Sequence, residues 1–106
     1  MSNDPTISVI ADPVRALTFD VVLRDARSET RHRVTMSADE ASRWTRLGAD
    51  PARCVEAAMM FLTDREPKES ILNAFDIRVI RRYFPEFDDA FPSYLARLDH
   101  EPGKGV

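Results

Sequence analysis

The feature that most constrains the fold of this chain is a predicted helix that begins at Asp50 and Pro51 and is apolar on two sides. The aspartate accepts from free amides of the first turn, and proline has no amide to leave unpaired. One apolar stripe is Val55, Ala58, Met59 and Leu62, and the other is Cys54, Ala57 and Phe61. Two stripes require neighbours on two sides, so we predict the central helix of one domain, ending before Pro67.

Two shorter helical segments are expected after this central helix. The sequence between Pro67 and Asn73 predicts one or two helical turns, because proline suits a first turn. Asp76 is the predicted cap of the next helix, which should run to Tyr83 or Phe84 before Pro85 ends it. We expect its inward side chains to be Ile77, Ile80 and Phe84, with Val79 and Tyr83 at the flank.

The run FLTDREPKESILNAFDIRVIRRYFPEF, from Phe61 to Phe87, carries a resemblance to a known family. In this run a helix that ends in an acidic and a basic residue leads into PKESIL, then a phenylalanine and an aspartate, then a YFPE turn. It is similar to a signature of a family of small uncharacterised bacterial proteins. That family has no established activity, so the resemblance implies no catalytic or binding residue.

The segment before these helices alternates between apolar and polar residues, which is the period of a strand with one buried face. From Ala16 to Arg24 the apolar positions are Leu17, Phe19, Val21 and Leu23, and from Thr30 to Met36 one face carries His32, Val34 and Met36. The short polar sequence between them predicts an antiparallel hairpin, and residues 7–10 predict a third short strand. A hairpin alone is marginal in water, so helices, a third strand or a second copy must cover it.

A first helix of about ten residues follows the hairpin, because Ser37 and Glu40 form a capping box. We expect Ala41, Trp44 and Leu47 to face inward, Gly48 to close this helix, and a last helix to run from Pro92 to Leu98. The sequence therefore predicts an α+β fold with an N-terminal antiparallel β-hairpin, or three strands, followed by three to five helices. We expect a single domain over residues 1–106, with an ordered core at about 7–99 and flexible termini.

Composition indicates a cytoplasmic protein without a membrane segment. No apolar run approaches the ~20 residues needed to cross a bilayer. The first residues, MSNDPTISVIADP, have neither the basic segment nor the apolar segment of a secretory signal. The single cysteine cannot form a disulfide within its own chain, which is typical of a reducing compartment.

Charge is distributed unevenly along a chain whose net charge is −3. Residues 14–36 contain five arginines and three acids, whereas residues 86–101 contain five acids and one arginine. Two regions of opposite sign can face each other within a protomer or across a dimer, and solvated faces produce the same counts.

Three features are candidates for catalysis or metal binding. Cys54 lies in a helical first turn, where a thiol pKa falls, but its apolar neighbours favour core packing. His32 lies on the apolar side of its strand, so we expect a hydrogen-bonded, partly buried ring rather than a zinc ligand. Glu86, Asp88 and Asp89 could bind a cation or share a proton, but they lack the register of a calcium loop. Three glycines make no phosphate-binding motif, and we expect no metal or cofactor.

Six arginines in two sets are candidates for an interaction surface, and the sequence leaves open whether the two sets share one surface. Arg78, Arg81 and Arg82 are expected on the outer side of a capped helix, which is how a nucleic-acid recognition helix is presented. Arg24, Arg31 and Arg33 lie on the polar face of the hairpin, where such charges also prevent edge pairing. A sequence pI near 5.3 opposes phosphate binding, which needs a basic surface.

The sequence leaves three functional readings. The leading hypothesis is a small cytosolic protein-interaction or regulatory module without catalytic activity, which binds another protein or itself. The alternative is a nucleic-acid-binding domain that uses Arg78, Arg81 and Arg82. The third is an enzyme whose site contains Cys54, His32 or the acidic residues near Glu86. The leading hypothesis assumes that the two middle helices bury their apolar sides in a solid core.

Overall fold

The computed structural model describes residues 5–46 and 48–99, which form a sheet of four strands packed against four helices. The α+β class is confirmed, with antiparallel strands at the N-terminal end and helices after them. The predicted inward residue Leu47 and the predicted loose tail after residue 99 lie outside the described residues.

The sheet has the strand order β1-β2-β3-β4. Its strands are β1 (Thr6–Ala11), β2 (Thr18–Arg24), β3 (Glu29–Thr35) and β4 (Ala74–Asp76). The first three strands pair antiparallel, and β4 pairs parallel with β3. The hairpin between β2 and β3 is confirmed, and the expected third strand is β1.

Successive side chains along each strand point to opposite sides of the sheet, which gives it an inner face and an outer face. Phe19, Val21 and Leu23 of β2 are at most 4 % exposed and point toward the helices. The residues between them, such as Asp20 and Val22, lie on the outer face, which no helix covers in the part of the chain that the structure describes.

The four helices are α1 (Ala38–Thr45), α2 (Pro51–Thr63), α3 (Ile77–Tyr83) and α4 (Phe87–Asp99). The predicted caps of the first three are confirmed: Ser37, Asp50 and Asp76 each accept a backbone N–H of the following turn. Gly48 has the positive φ of 86° expected of a residue that closes a helix. A short 3-10 helix, Lys68–Ser70, forms the predicted turn after α2.

Two elements differ from expectation. The chain enters α3 through the short strand β4, which the sequence did not predict because three residues cannot show a period. The last helix begins at Phe87 rather than at Pro92, since Phe87 and Phe91 are buried on one face and Pro92 lies exposed inside the helix. The free energy gained by burying these two rings exceeds the cost of the helical hydrogen bond that Pro92 cannot donate.

The helix α2 lies at the centre, as predicted. Both of its stripes are buried, and Val55, Ala57, Ala58, Met59 and Phe61 have no exposed surface. It contacts β1 on one side and α4 on another. Phe61 meets the rings of Phe84, Phe87 and Tyr94 edge-on at centroid distances of 5.0–5.7 Å, which joins α2 to both later helices.

Candidate interaction surfaces

An apolar groove of about 260 Å³ opens between the end of α2, the segment Ser70–Phe75 and α3. We name it the α3 groove. Its floor contains Leu62 and Ile80, which are at most 6 % exposed. Its remaining lining is Glu66, Ser70, Ile71, Leu72, Phe75, Val79, Tyr83 and Phe84. The expected solid interior therefore holds for Val55 and Met59, whereas Leu62 and Ile80 also face an open cleft.

Two large apolar side chains at the groove face water. Leu72 is 50 % exposed and Tyr83 is 68 % exposed. Tyr83 was predicted at the flank of its helix, but no residue pattern predicted that it and Leu72 would meet at one opening. Sequence patterns are local, whereas Leu72 lies in the segment before β4 and Tyr83 lies at the end of α3.

The segment that carries Leu72 is attached to the sheet by two hydrogen bonds. His32 donates through Nδ1 to the Leu72 carbonyl at 2.7 Å, and the backbone N–H of Arg33 donates to the Asn73 carbonyl at 2.7 Å. In the neutral ring, Nε2 then accepts from the Thr30 hydroxyl, also at 2.7 Å. His32 is 4 % exposed, so the expected buried and hydrogen-bonded histidine is confirmed.

A second attachment lies just before the groove. The Lys68 side chain is only 4 % exposed, and its Nζ contacts Asp25 at 2.7 Å and Glu69 at 2.6 Å. The hydrogen bonds that Lys68 donates to these carboxylates, the one to Asp25 more than the one to Glu69, raise the pKa of Lys68. The same contact, followed by backbone N–H groups of Arg27 and Ser28, lowers the pKa of Asp25 to about 2. The turn of the β2–β3 hairpin is thereby fixed to the 3-10 helix.

The hairpin arginines lie on the outer sheet face, and each has carboxylate partners. Arg24 and Arg31 contact the two oxygens of Glu29 at 2.6 and 2.8 Å, and together they hold the pKa of Glu29 below its usual range. Arg33 contacts Asp12 at 2.5 Å and Asp20 at 3.1 Å. Three arginines and three acids therefore cancel, which leaves no net positive charge for a polyanion in this cluster.

The three arginines of α3 do not form one surface. Arg78 contacts Asp76 at 3.1 Å, and Asp76 also accepts from Thr35, so Arg78 lies next to the outer sheet face. Arg82 is exposed. Arg81 turns inward, contrary to the expected outer position: its Nε lies 2.8 Å from Asp88, and its Nη atoms bind Glu40.

Glu40 explains why Arg81 turns inward. This glutamate is 6 % exposed and accepts the indole N–H of Trp44 at 2.6 Å. A buried carboxylate needs a counter-charge, and Arg81 supplies one while lying 5.6 Å from the centroid of the Phe87 ring. Glu86, Asp88 and Asp89 remain solvent-accessible, and two of them have arginine partners. Asp88 pairs with Arg81, and Glu86 pairs with Arg65.

The regions of opposite charge do not pair with each other. In residues 5–46 and 48–99, the hairpin arginines pair with carboxylates of the sheet and its loops, and no ion pair joins residues 14–36 to residues 86–99.

Cys54 is buried with 2 % exposure. Burial, followed by the negative charges of Asp50 and Glu40, raises its thiol pKa to about 12. A thiol with this pKa is protonated at neutral pH and is a poor nucleophile, which agrees with the predicted packing role. Within the described ranges, no group of three or more His, Cys, Asp or Glu is placed to hold a metal ion.

Comparison with protein-family models, with curated proteins and with solved structures finds no match to this chain. The resemblance of residues 61–87 to a bacterial family therefore stays a prediction. None of the helices that the structure describes is long and apolar enough to cross a membrane.

Proposed function

We propose that this protein is a non-catalytic protein-interaction module whose α3 groove binds an amphipathic helix of a partner protein. The observation that carries this proposal is the exposure of Leu72 and Tyr83 beside an open apolar floor. Water-exposed apolar side chains around a groove are typical of helix-binding sites, where they receive apolar anchors at helical spacing.

Glu66 supports a partner helix that carries a basic residue. Its carboxylate lines the groove, and no hydrogen bond or ion pair between described residues uses that side chain. The neighbouring acids differ in this respect, because Asp64 accepts from Tyr94 and Glu86 pairs with Arg65. An unpaired carboxylate at the rim favours a lysine or arginine next to the apolar anchors of the partner.

We further propose a cytoplasmic location and a role in regulation through binding. The single cysteine is buried and free, which suits a reducing compartment. The nucleic-acid alternative has less support, because Arg81 is held by Glu40 and Asp88, and the hairpin arginines are neutralised by their own acids. A gel-shift titration at two salt concentrations tests this alternative directly, since phosphate contacts weaken as salt rises.

The proposal is tested by selecting helical peptides of about 15 residues, near the shortest stable length, from a displayed library. We expect the recovered peptides to combine apolar residues at helical spacing with at least one basic residue. Binding of a fluorescent copy is then measured by anisotropy. Leu72→Asp should weaken binding at least about tenfold, because a buried leucine contributes roughly 1.5–3 kcal/mol.

Two matched variants locate the binding site. Glu66→Gln should weaken the binding of basic peptides more than the binding of peptides whose basic residue has been replaced by alanine. Val14→Asp is the control, because Val14 is 88 % exposed in the β1–β2 connection and does not line the groove. Equal binding by Leu72→Asp and the unchanged protein would contradict the proposal, as would a selection that recovers no apolar peptide.

A further inference from the structure

The strand β1 forms one edge of the sheet, and its backbone leaves one side unpaired. Asp12 donates its N–H to the Thr18 carbonyl at 2.8 Å, in the register that joins β1 to β2. Antiparallel hydrogen bonding alternates along a strand, so the odd-numbered residues of β1 point their N–H and C=O groups away from β2. These residues are Ile7, Val9 and Ala11, and no backbone hydrogen bond between described residues uses their groups.

Although α2 contacts β1, the strand itself has none of the sequence features that usually prevent pairing at an edge. Edge strands commonly carry a lysine, an internal proline or a bulge, or lie under a helix or loop. The sequence of β1 is TISVIA, which has no charge and no proline, and its register with β2 has no bulge. Ile10 is 62 % exposed, and Ile7 and Val9 remain partly exposed on the inner face. Such an edge readily accepts another strand.

The positions of two prolines make this segment symmetric. Pro5 and Pro13 lie four residues on either side of Val9. Both prolines are at odd-numbered positions, like the residues of β1 whose backbone groups point away from β2. Neither proline has an N–H to donate, so pairing along this edge ends at equal distances from Val9. A two-fold axis through Val9 pairs Val9 with itself and Ile7 with Ala11, which are the residues whose backbone groups point outward.

We propose that β1 pairs antiparallel with β1 of a second copy of this chain, about a two-fold axis through Val9. The two sheets join into one sheet of eight strands. The pairing places Val9 against Val9 on the inner face, and Ser8 against Ile10 on the outer face. It occupies the open backbone groups of both copies and covers the apolar surface that each leaves exposed.

Charge on the outer face does not oppose this pairing. Thr6 is the register partner of Arg24 in its own copy, and the two-fold axis places Asp12 of the second copy on the other side of Thr6. The arginine and the aspartate are then two strand spacings, roughly 10 Å, apart, which is beyond the screening length of about 8 Å at physiological salt. Each also has a partner in its own copy, Arg24 with Glu29 and Asp12 with Arg33, so this pair adds little attraction. The two Asp12 residues lie at opposite ends of the interface, so like charges do not meet.

This dimer goes beyond the proposed function, because it uses the opposite edge of the sheet. The α3 groove includes Phe75 of β4, and β4 is the edge strand farthest from β1. Pairing through β1 therefore leaves both grooves open at the two ends of the joined sheet. A partner with two helices could engage both grooves, which would raise its apparent affinity.

Light scattering after size exclusion tests the dimer over a dilution series up to about 1 mM. The unchanged protein should be a dimer at the upper end. Val9→Pro should raise the dissociation constant at least about tenfold with little change in the circular dichroism spectrum, because the Val9 N–H is not used by β2. If Val9→Pro fails to fold, the double variant Ser8→Lys and Ile10→Lys places like charges opposite each other across the interface.

Leu72→Asp separates the two proposals. It should abolish peptide binding in the α3 groove and leave the dimer intact, whereas Val9→Pro should dissociate the dimer and leave peptide binding intact. Failure of one proposal is then visible without failure of the other.

Single cysteines in a Cys54→Ala background test the register. Directly opposed residues of a hydrogen-bonded pair have Cα atoms about 5.5 Å apart, within the disulfide range of about 4.4–6.8 Å. Val9→Cys should therefore cross-link to itself under mild oxidation. Ile7→Cys alone should not, but it should cross-link in a mixture with Ala11→Cys. A monomer at every concentration, or Ile7→Cys cross-linking as well as Val9→Cys, would overturn the proposal.

Discussion

Arg81 and Glu40 are 41 positions apart in the sequence and form an ion pair in which the glutamate side chain is 6 % exposed and the arginine side chain 22 %. The pair joins α3 to α1, and Trp44 and Asp88 complete its hydrogen bonds. Because all of these groups are paired, the contact holds two helices together at a site that would otherwise contain an isolated buried charge.

Arg81→Ala should lower the free energy of unfolding by about 2–4 kcal/mol, since it leaves Glu40 buried without its counter-charge. Arg82→Ala, on an exposed neighbour in the same helix, should change it by less than about 0.5 kcal/mol. Urea unfolding followed by circular dichroism measures both. An Arg81→Ala variant as stable as Arg82→Ala would show that the ion pair adds nothing to the fold.

Stability should fall in acid as Asp25 takes up a proton. Its folded-state pKa is lowered from 3.8 to about 2, so its contribution is complete above about pH 4 and is lost as the pH falls toward 2. Asp25→Asn should flatten the dependence of the unfolding free energy on pH in this window. Urea titrations between these pH values measure the slope, and an unchanged slope in Asp25→Asn would refute the assignment.

Tyr94→Phe should lower the unfolding free energy by about 1–2 kcal/mol, because the Tyr94 hydroxyl donates to Asp64 at 2.5 Å and accepts from Arg65 at 3.3 Å. Tyr83→Phe is the matched control, since Tyr83 is 68 % exposed, and it should change stability by only a few tenths of a kcal/mol. Thermal unfolding of the two variants side by side decides whether the hydroxyl of Tyr94 holds α4 to the end of α2.

The Cys54 thiol should resist modification in the folded protein. A pKa of about 12 leaves almost no thiolate at neutral pH, and the side chain is 2 % exposed. Colour release from a disulfide reagent should therefore be slow in buffer and rapid in urea. Reaction in buffer at the rate of a free cysteine would show that this part of α2 opens.

Sequence reasoning found the elements whose signals are local. The caps at Ser37, Asp50 and Asp76 and the alternation in β2 and β3 are set by neighbours within a few residues, and all are present in the structure. Arg81 could not be placed, because its direction depends on a glutamate 41 residues away. The start of α4 was missed because Pro92 gives a strong local signal that the burial of Phe87 and Phe91 overrides.

The α3 groove was hidden from sequence reasoning for a related reason. Leu62 and Ile80 show the helical spacing of core residues, and nothing in that spacing distinguishes a covered side chain from the floor of a cleft. The opening depends on where the segment around Leu72 is held, and that position is fixed by His32 and Arg33 of the sheet.

The hydrogen bonds from His32 and Arg33 to the carbonyls of Leu72 and Asn73 give the rim of the groove one conformation before any ligand arrives. A guest that enters meets a preorganised wall, so little loop entropy is lost on association. The recognition step should then resemble rigid docking, with a small entropic penalty and a bound-state backbone close to that of the free protein.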